Sequence, residues 1–168
     1  SPHPMYSISK ILWTKRNDPE AHSKIWKYFH FADYILFMLG AQPHMDYSCA
    51  GRTMAFDVVG KKWSSEILSA AELDSSIFGD PVPSATKVGT IKPELARELG
   101  LADNAVLASG GHDQICAAMG AGVVKSEIAV DGIGTVECIT PVFDRSFISR
   151  KTAEFNFVCV PYAIEGQY

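Results

Sequence analysis

The sequence has no excess of positive charge and no long apolar run. Lys and Arg number 15 against 19 Asp and Glu, for a net charge of −4, so the chain lacks the basic surface that binds phosphate backbones or anionic lipid. The longest mainly apolar stretch, residues 31–39, contains Asp33 and is far shorter than the roughly 20 residues of a membrane span. Residues 1–30 show no secretory or transit pattern. We therefore expect no nucleic-acid partner and no membrane association.

Cysteine is scarce and the cysteines are far apart. None forms a Cys-x-x-Cys pair, so the ligand spacing of a zinc site is missing and we expect no metal site. The cysteines lie among apolar or alanine-rich residues, which favours reduced, buried thiols in a cytoplasmic protein. They are Cys49, Cys116, Cys138 and Cys159.

Length and composition allow one domain or two small lobes. With 168 residues, 47% of them hydrophobic, the chain can bury a core of ordinary domain size. In the first forty residues Ser7 is expected to cap a helix, and Asp18-Pro19-Glu20 to start a second. A third helix is expected over 32–39, ending at Gly40. The aromatic side chains of this helical layer are predicted to lie in the core: Trp13, Trp26, Tyr28, Phe29, Phe31, Tyr34 and Phe37.

The remaining residues mix helical and strand patterns, as in an α/β fold. Residues 74–85 are rich in Gly and Pro and are typical of a loop. A strand is predicted at 105–109 and a helix at 114–121. Further strands are predicted at 128–130, 136–140 and 155–160. We place a lobe boundary near residues 120–124.

Two glycine-containing clusters point to chemistry. The Gly-Gly-His-Asp-Gln cluster at 110–114 follows the predicted strand, so it delivers the Asp113 carboxylate where α/β folds place reactive groups. Gln114 adds a donor and an acceptor for a hydroxylated ligand. The Asp-Gly-Ile-Gly-Thr cluster at 131–135 offers backbone N–H groups and a hydroxyl to a phosphate. Together they indicate a proton acceptor and a phosphate contact.

Both clusters also have a structural interpretation. An Asp in front of a helix, such as Asp113, is typical of an N-cap. Gly134-Thr135 is equally typical of a tight hairpin turn. His112 either orients its turn, helps to bind a ligand, or is simply accommodated beside the glycines. The functional interpretation depends on the two clusters occurring together at this separation.

Three residues upstream have structural explanations first. Arg52 could reach a phosphate, but a salt bridge inside the lobe is favoured. Asp46 and Ser48 are expected to cap a helix rather than to contact sugar.

In order and spacing, the motifs of the chain resemble those of the FGGY carbohydrate kinases. The resemblance extends over essentially the whole chain, and each motif is common while their order is specific. The matching segments are Pro4–Trp13, Asp33–Ile35, Leu39–Gly40, Asp46–Met54, Trp63, Val88–Ile91, Leu99–Leu101, Gly110–Gln114, Gly134–Thr135 and Glu165–Gly166.

The resemblance implies an α/β chain with the actin-like, ribonuclease H-like ATPase fold. Residues 1–121 would form the C-terminal part of the substrate-side N-terminal lobe. Residues 122–168 would begin the nucleotide-side C-terminal lobe. The chain would then correspond to the central third of a family member, and its ends are not expected to be natural termini.

The resemblance also implies roles for individual residues. Asp113 would be the catalytic base that removes the proton from the sugar or polyol hydroxyl attacking the γ-phosphate of ATP. Substrate contacts would come from Gln114, His112, Met5 and Tyr6. ATP phosphate contacts would come from Gly134 and Thr135.

The implied cofactors are ATP and Mg²⁺. The family's N-terminal Asp-x-Gly-Thr motif, which handles phosphate and Mg²⁺, and its glycine-rich adenosine segment have no match in these residues. The implied partners are therefore a small-molecule sugar or polyol and the remainder of the kinase chain, and a homo-oligomer is compatible with the resemblance. We expect the chain to be inactive alone.

Three functions remain open from the sequence. The leading hypothesis is a portion of an ATP-dependent sugar kinase. The second is a non-catalytic binding or scaffold module that keeps the kinase-like turn for structure. The third is an actin-like ATPase or phosphatase with water as acceptor, which would consume ATP without any sugar.

Overall fold

The computed structural model describes residues 3–168; Ser1 and Pro2 lie outside the described residues. The described chain is a mixed α/β structure of short elements. Its α-helices are α1 (Ser7–Asn17), α2 (Pro19–Ser23), α3 (Phe31–Leu39), α4 (Tyr47–Gly51), α5 (Ser65–Ala70), α6 (Pro93–Leu99), α7 (Asp113–Gly120) and α8 (Arg150–Glu154). Its strands are β1 (His44–Asp46), β2 (Phe56–Asp57), β3 (Lys62–Trp63), β4 (Asp80–Val82), β5 (Lys87–Thr90), β6 (Val106–Ala108), β7 (Ala129–Ile133) and β8 (Glu137–Pro141).

The described strands pair two by two. β1 and β4 are parallel, with His44 opposite Asp80, and they are joined by the long crossover through α4 and α5 that parallel pairing requires. The β2–β3, β5–β6 and β7–β8 pairs are antiparallel. The predicted strands at 105–109, 128–130 and 136–140 are confirmed as β6, β7 and β8. Within residues 3–168 the core is therefore built by helices packing on small strand pairs.

Three apolar clusters form this core. The first joins α1, β1 and α5 through Ile8, Ile11, Met45 and Leu68. The second joins β6 and α6 through Leu107 and Ala96. The third holds α7 against the C-terminal segment and consists of Ile115, Ala118, Val123, Val142 and Tyr162. The base of α7 is thus fixed by residues on both sides of the predicted lobe boundary, which itself stays a prediction.

Local chemistry explains several of the helix ends. Asp18 Oδ1 accepts from the Ala21 N–H at 2.9 Å and Pro19 begins α2, as predicted. The predicted end of α3 before Gly40 is also confirmed. The expectation that Ser7 caps α1 is wrong, because Tyr6 is the N-cap residue and Ser7 is already helical. The Ser7 hydroxyl lies 3.2 Å from His30 Nε2 instead, a partner that local sequence does not reveal.

The aromatic residues of the first forty positions are less buried than predicted. Four of the seven have at least 47% of their surface exposed: Trp13, Trp26, Phe31 and Tyr34. Tyr28 does pack against the first apolar cluster. Phe29 and Phe37 stack on one another with ring centroids 5.1 Å apart. Helical periodicity alone could not tell which face of α3 another element would cover.

Two other expectations need correction. The segment 74–85 is not wholly loop, because it contains a 3-10 turn at Ser75–Ile77 and strand β4. Pro81 is tolerated in β4 because the pair with β1 has only two strands, so every strand in it is an edge. The strand predicted at 155–160 does not form. In the described part of the chain this segment pairs with no strand, and an unpaired strand would leave its backbone groups without partners.

The cysteines are free but not deeply buried. Cys116 is exposed and the other three are half-buried, so the expectation of buried thiols is wrong for Cys116. Cys49 is shielded enough that burial raises the pKa of its thiol to about 12, with the charges of Asp46 and Asp33 acting in the same direction. Among the described helices, none has the length and apolarity to cross a membrane.

Candidate functional site

Asp113 lies at the surface, at the start of α7. Strand β6 ends at Ala108, residues 109–112 form the connection, and His112 is the N-cap residue of α7. The N-cap interpretation of Asp113 is therefore wrong by one residue. The Asp113 side chain is 88% exposed, and its Oδ1 accepts from the Gln114 N–H at 2.8 Å and lies 3.3 Å from His112 Nδ1. Its Oδ2 has no hydrogen-bond partner among residues 3–168 and can face a ligand.

Hydroxyl groups hold the connection between β6 and α7 at both ends. Ser109 Oγ donates to the Pro83 carbonyl at 2.8 Å and accepts from the Thr86 N–H at 3.0 Å. At the other end, Ser48 Oγ accepts from the His112 N–H at 2.8 Å. Only two glycines lie between these anchors. Asp113 is thus placed by a short segment that is fixed on each side.

Asp46 supports this arrangement from the interior. It is 1% exposed, ends β1 and caps α4, which confirms the expectation from the sequence. Its Oδ1 accepts from the N–H groups of Ser48 and Cys49 and from Ser48 Oγ. Its Oδ2 accepts from Ser84 Oγ at 2.6 Å. With four donors, the orientation of this carboxylate is fixed.

Met5, Tyr6 and Arg52 form a second unit. The Arg52 guanidinium lies 5.1 Å from the centroid of the Tyr6 ring, and its Nη2 lies 3.9 Å from Met5 Sδ. The salt bridge expected for Arg52 is not formed with any carboxylate in the described part of the chain, because the cation stacks on an aromatic face instead. Met5 is 55% exposed and Tyr6 only 7%, so of these two predicted substrate contacts only Met5 offers a large open surface.

The charges of Asp113, Asp46 and Arg52 all act on His112. Burial lowers the pKa of His112 below its ordinary value of 6.5; the Arg52 charge also lowers it, whereas Asp113 and Asp46 raise it. Because the net change is downward, the neutral form of the imidazole is favoured at pH 7. A neutral ring can donate from Nδ1 to the Asp113 carboxylate while Nε2 carries no proton.

Gly134 and Thr135 lie in the turn between β7 and β8. The Gly134 N–H donates to the Val136 carbonyl at 3.3 Å, and both Gly134 and Thr135 are exposed. The hairpin turn is therefore confirmed, and the phosphate contact stays a prediction. A Cβ at Gly132 would lie 3.9 Å from Gln114 Oε1, so β7 passes beside the first turn of α7. Thr135 follows three residues later, in the turn after β7.

A further carboxylate, Asp33, is buried behind the site. It is 2% exposed; its Oδ1 lies 3.5 Å from His44 Nε2, and its Oδ2 lacks a hydrogen-bond partner among residues 3–168. Burial raises the pKa of Asp33 to about 6; His44 lowers it, Asp46 raises it, and the backbone N–H groups of His30 and Asp46 lower it. Asp33 has no access to a ligand, so it affects stability rather than chemistry.

The candidate site is an open surface rather than an enclosed pocket. A cleft of about 220 Å³ opens between α1 and residues 28–30, with polar groups from Ser7, Lys10 and His30, but Asp113 does not line it. Within the described range, no group of three or more His, Cys, Asp or Glu side chains is arranged to hold a metal ion.

Comparisons with known proteins identify the family of this chain. Residues 2–120 match the model of the N-terminal domain of the FGGY family of carbohydrate kinases. The xylulose kinase of Lactococcus lactis subsp. lactis (strain IL1403) is 31% identical over 130 residues, which are 77% of this chain and 26% of that protein. The gluconokinase of Bacillus licheniformis is 31% identical over 156 residues, covering 92% of this chain and 30% of that protein. The ligand-bound xylulose kinase from Lactobacillus acidophilus superposes with a TM-score of 0.89 at 23% identity, over 99% of this chain and 33% of that chain.

The chain belongs to the FGGY family of carbohydrate kinases, since the family model covers most of its length. The fold is confirmed as part of the actin-like α/β ATPase fold of these kinases. The chain spans about a quarter of the length of the xylulose kinases that it matches.

Sequence patterns missed the support of the site. The expectation that Asp46 and Ser48 cap a helix is correct for Asp46 and wrong for Ser48, which lies inside α4. No sequence pattern indicated that Ser48 holds the His112 backbone. These two residues are 64 positions apart, and no local rule connects them. The stacking of Arg52 on the Tyr6 ring has no local sequence signal either, because the two residues are far apart in the chain.

Proposed function

We propose that this chain supplies the catalytic base and part of the sugar pocket of an ATP-dependent carbohydrate kinase. The proposal is carried by the Asp113 carboxylate, whose side chain is 88% exposed at the start of α7 and whose Oδ1 lies 3.3 Å from His112 Nδ1. The family model includes this position. Relatives named xylulose kinase and gluconokinase support a carbohydrate as the phosphoryl acceptor.

In the proposed reaction, Asp113 accepts the proton of a sugar or polyol hydroxyl as that oxygen attacks the γ-phosphorus of ATP. The new oxygen–phosphorus bond belongs to the sugar phosphate. The bond between the γ-phosphorus and the β,γ-bridging oxygen breaks, and ADP leaves with that electron pair. His112 Nδ1, 3.3 Å from Asp113 Oδ1, orients the carboxylate so that its other oxygen faces the acceptor. The proton on Asp113 passes to solvent after the product leaves.

Neighbouring residues are assigned to binding. The exposed Gln114 offers an amide donor and acceptor to sugar hydroxyls, and Met5 offers an exposed apolar surface. The buried Tyr6 acts by holding the Arg52 guanidinium at its ring. Gly134 and Thr135 offer an N–H group and a hydroxyl to a phosphate of ATP.

The chain is proposed to be one part of the complete active site. Residues 1–121 belong to the substrate-side lobe and 122–168 begin the nucleotide-side lobe. Mg²⁺ neutralises charge on ATP phosphates in such reactions. Within residues 3–168, no group of three or more His, Cys, Asp or Glu side chains is arranged to hold a metal ion. The remainder of the kinase would supply the metal and adenosine contacts, so the isolated chain would be inactive.

The free thiols support a reducing, cytoplasmic setting.

The test uses a complete FGGY polypeptide that contains residues 1–168. ATP consumption is screened against pentuloses, hexuloses, aldonates and polyols, and the best acceptor is then used for variants. Asp113→Asn preserves size but removes the base, so kcat is expected to fall by about 10² to 10⁴ while sugar affinity measured by calorimetry is largely kept. Asp103→Asn, at an exposed loop position, is the matched control and should retain wild-type turnover.

The other outcomes discriminate between functions. Turnover of the Asp113→Asn variant comparable with wild type would remove Asp113 from the role of base. ATP hydrolysis that is independent of every sugar would support an ATPase that uses water. Sugar binding without any ATP consumption would support a non-catalytic binding module.

A further inference from the structure

We propose that Ser48 is a positioning residue for the candidate base. Its hydroxyl links the buried Asp46 carboxylate to the backbone N–H of His112, the residue directly before Asp113. This role rests on the proposed function of Asp113.

The direction of each hydrogen bond in the Asp46–Ser48–His112 chain is determined. Ser48 is 1% exposed, and its hydroxyl carries a single proton. The His112 N–H can only donate, so Ser48 Oγ must be the acceptor in the 2.8 Å bond between them. The hydroxyl proton then goes to Asp46 Oδ1, which also accepts from two backbone N–H groups. With Asp46 as a carboxylate, which has no proton to donate, this is the assignment that satisfies both contacts.

The backbone before Asp113 depends on this one bond. Among residues 3–168, no other hydrogen bond from outside α7 reaches residues 110–112, and the preceding anchor is Ser109. The connection runs closely against its support: a Cβ at Gly111 would lie 3.1 Å from Cys116 Sγ and 3.5 Å from Ser48 Oγ. Ser48 thereby couples the first apolar cluster, through α4, to the first turn of α7.

Loss of the Ser48 hydroxyl should affect chemistry more than binding. His112 would lose its acceptor, and the imidazole and carboxylate that follow the same backbone would shift together. A base must lie within hydrogen-bond reach of the proton that it removes, and small displacements reduce turnover strongly. The acceptor pocket contains other groups, so substrate affinity is less sensitive.

The experiment compares two hydroxyl deletions in the complete FGGY polypeptide. Ser48→Ala and Ser84→Ala each remove one hydroxyl donor from Asp46, but only Ser48 contacts His112. For Ser48→Ala we expect kcat to fall about tenfold, with KM for sugar and ATP nearly unchanged, and the His112 amide to exchange about tenfold faster. Ser84→Ala should leave kcat and that amide close to wild type.

Three results would overturn the role of Ser48. The first is a kcat of Ser48→Ala within about twofold of wild type, and the second is unchanged exchange of the His112 amide. The third is an equal loss of kcat in Ser84→Ala, because that would indicate a general loosening around Asp46. If Ser48→Ala does not fold, Ser48→Cys keeps nearly the same volume with a weak acceptor and should change both readouts in the same direction. Unaltered turnover in Asp113→Asn would refute the proposed base alone, because the amide measurement reports on the Ser48–His112 bond independently.

Discussion

Two strand-to-helix turns of this molecule each carry an aspartate, and the two aspartates have opposite surroundings. In the β1–α4 turn, Asp46 is 1% exposed and accepts from four donors. In the β6–α7 turn, the Asp113 side chain is 88% exposed, and only its Oδ1 contacts donors, the Gln114 N–H and His112 Nδ1. A carboxylate with all its acceptor sites engaged serves the fold, whereas one with an open oxygen can serve a ligand.

Asp33 shows that a buried carboxylate need not have donors for both of its oxygens, as Asp46 does. It is as inaccessible as Asp46, but one of its oxygens lacks a partner among the described residues. Its pKa is correspondingly raised to about 6, mainly by burial. The two buried carboxylates therefore differ in their donors: Asp46 accepts from four, whereas one oxygen of Asp33 has no partner among the described residues.

The largest effect on stability should come from Asp46, whose two carboxylate oxygens accept from four donors. Asp46→Ala leaves four donors without their acceptor in the interior, so we expect the free energy of unfolding to decrease by about 4 kcal/mol in urea titrations. Asp113→Ala removes an exposed group and should unfold within error of wild type. Equal losses in the two variants would break the contrast between the turns.

The poorly partnered carboxylate should make stability depend on pH. The pKa of Asp33 is higher in the folded state, about 6, than its ordinary value of 3.8, so its contribution is complete below pH 3.8 and is lost as the pH rises through 6. We expect this loss to reach roughly 2 to 3 kcal/mol relative to Asp33→Asn, which cannot ionise. The measurement is urea unfolding of both proteins between pH 4 and pH 8. Parallel stability curves would show that Asp33 has an ordinary environment.

The smallest effect should distinguish the two glycines of the β6–α7 connection. A Cβ at Gly111 would meet Cys116 Sγ at 3.1 Å and Ser84 Oγ at 3.3 Å, whereas a Cβ at Gly110 would meet no heavy atom within 4 Å. Gly111→Ala is expected to lower the unfolding free energy by about 1 kcal/mol, because the neighbours must move. Gly110→Ala is the matched control and should be neutral or slightly stabilising. Thermal unfolding of both variants checks the difference, and a larger loss in Gly110→Ala would contradict this description of the turn.

Much of the fold could be predicted because its signals are local. Asp18-Pro19-Glu20 places a side-chain acceptor, a fixed φ and an acidic first turn in consecutive positions, and α2 begins there. The failures concern non-local effects. The apolar residues at 155–160 had the composition of a strand, but no described strand lies beside them to pair with. Trp13 and Trp26 looked like core residues, yet 64% and 60% of their surfaces remain exposed.

The candidate site divides in the same way. The position of Asp113 after strand β6 followed from residues 105–114 alone. The partner of Arg52 did not, because the ring that it covers belongs to Tyr6, far away in sequence. The support of His112 by Ser48 was equally invisible, although both residues belong to recognisable motifs.

By itself, the sequence determined the start of α2, which glycines precede the reactive aspartate, and the order of motifs that marks the FGGY family, because each depends on residues adjacent in the chain. Only the tertiary structure decided that Asp46 is enclosed while Asp113 stays open, and that Ser48 joins them. Burial and hydrogen-bond partners are set by which distant segments pack together, and that packing has no local signature.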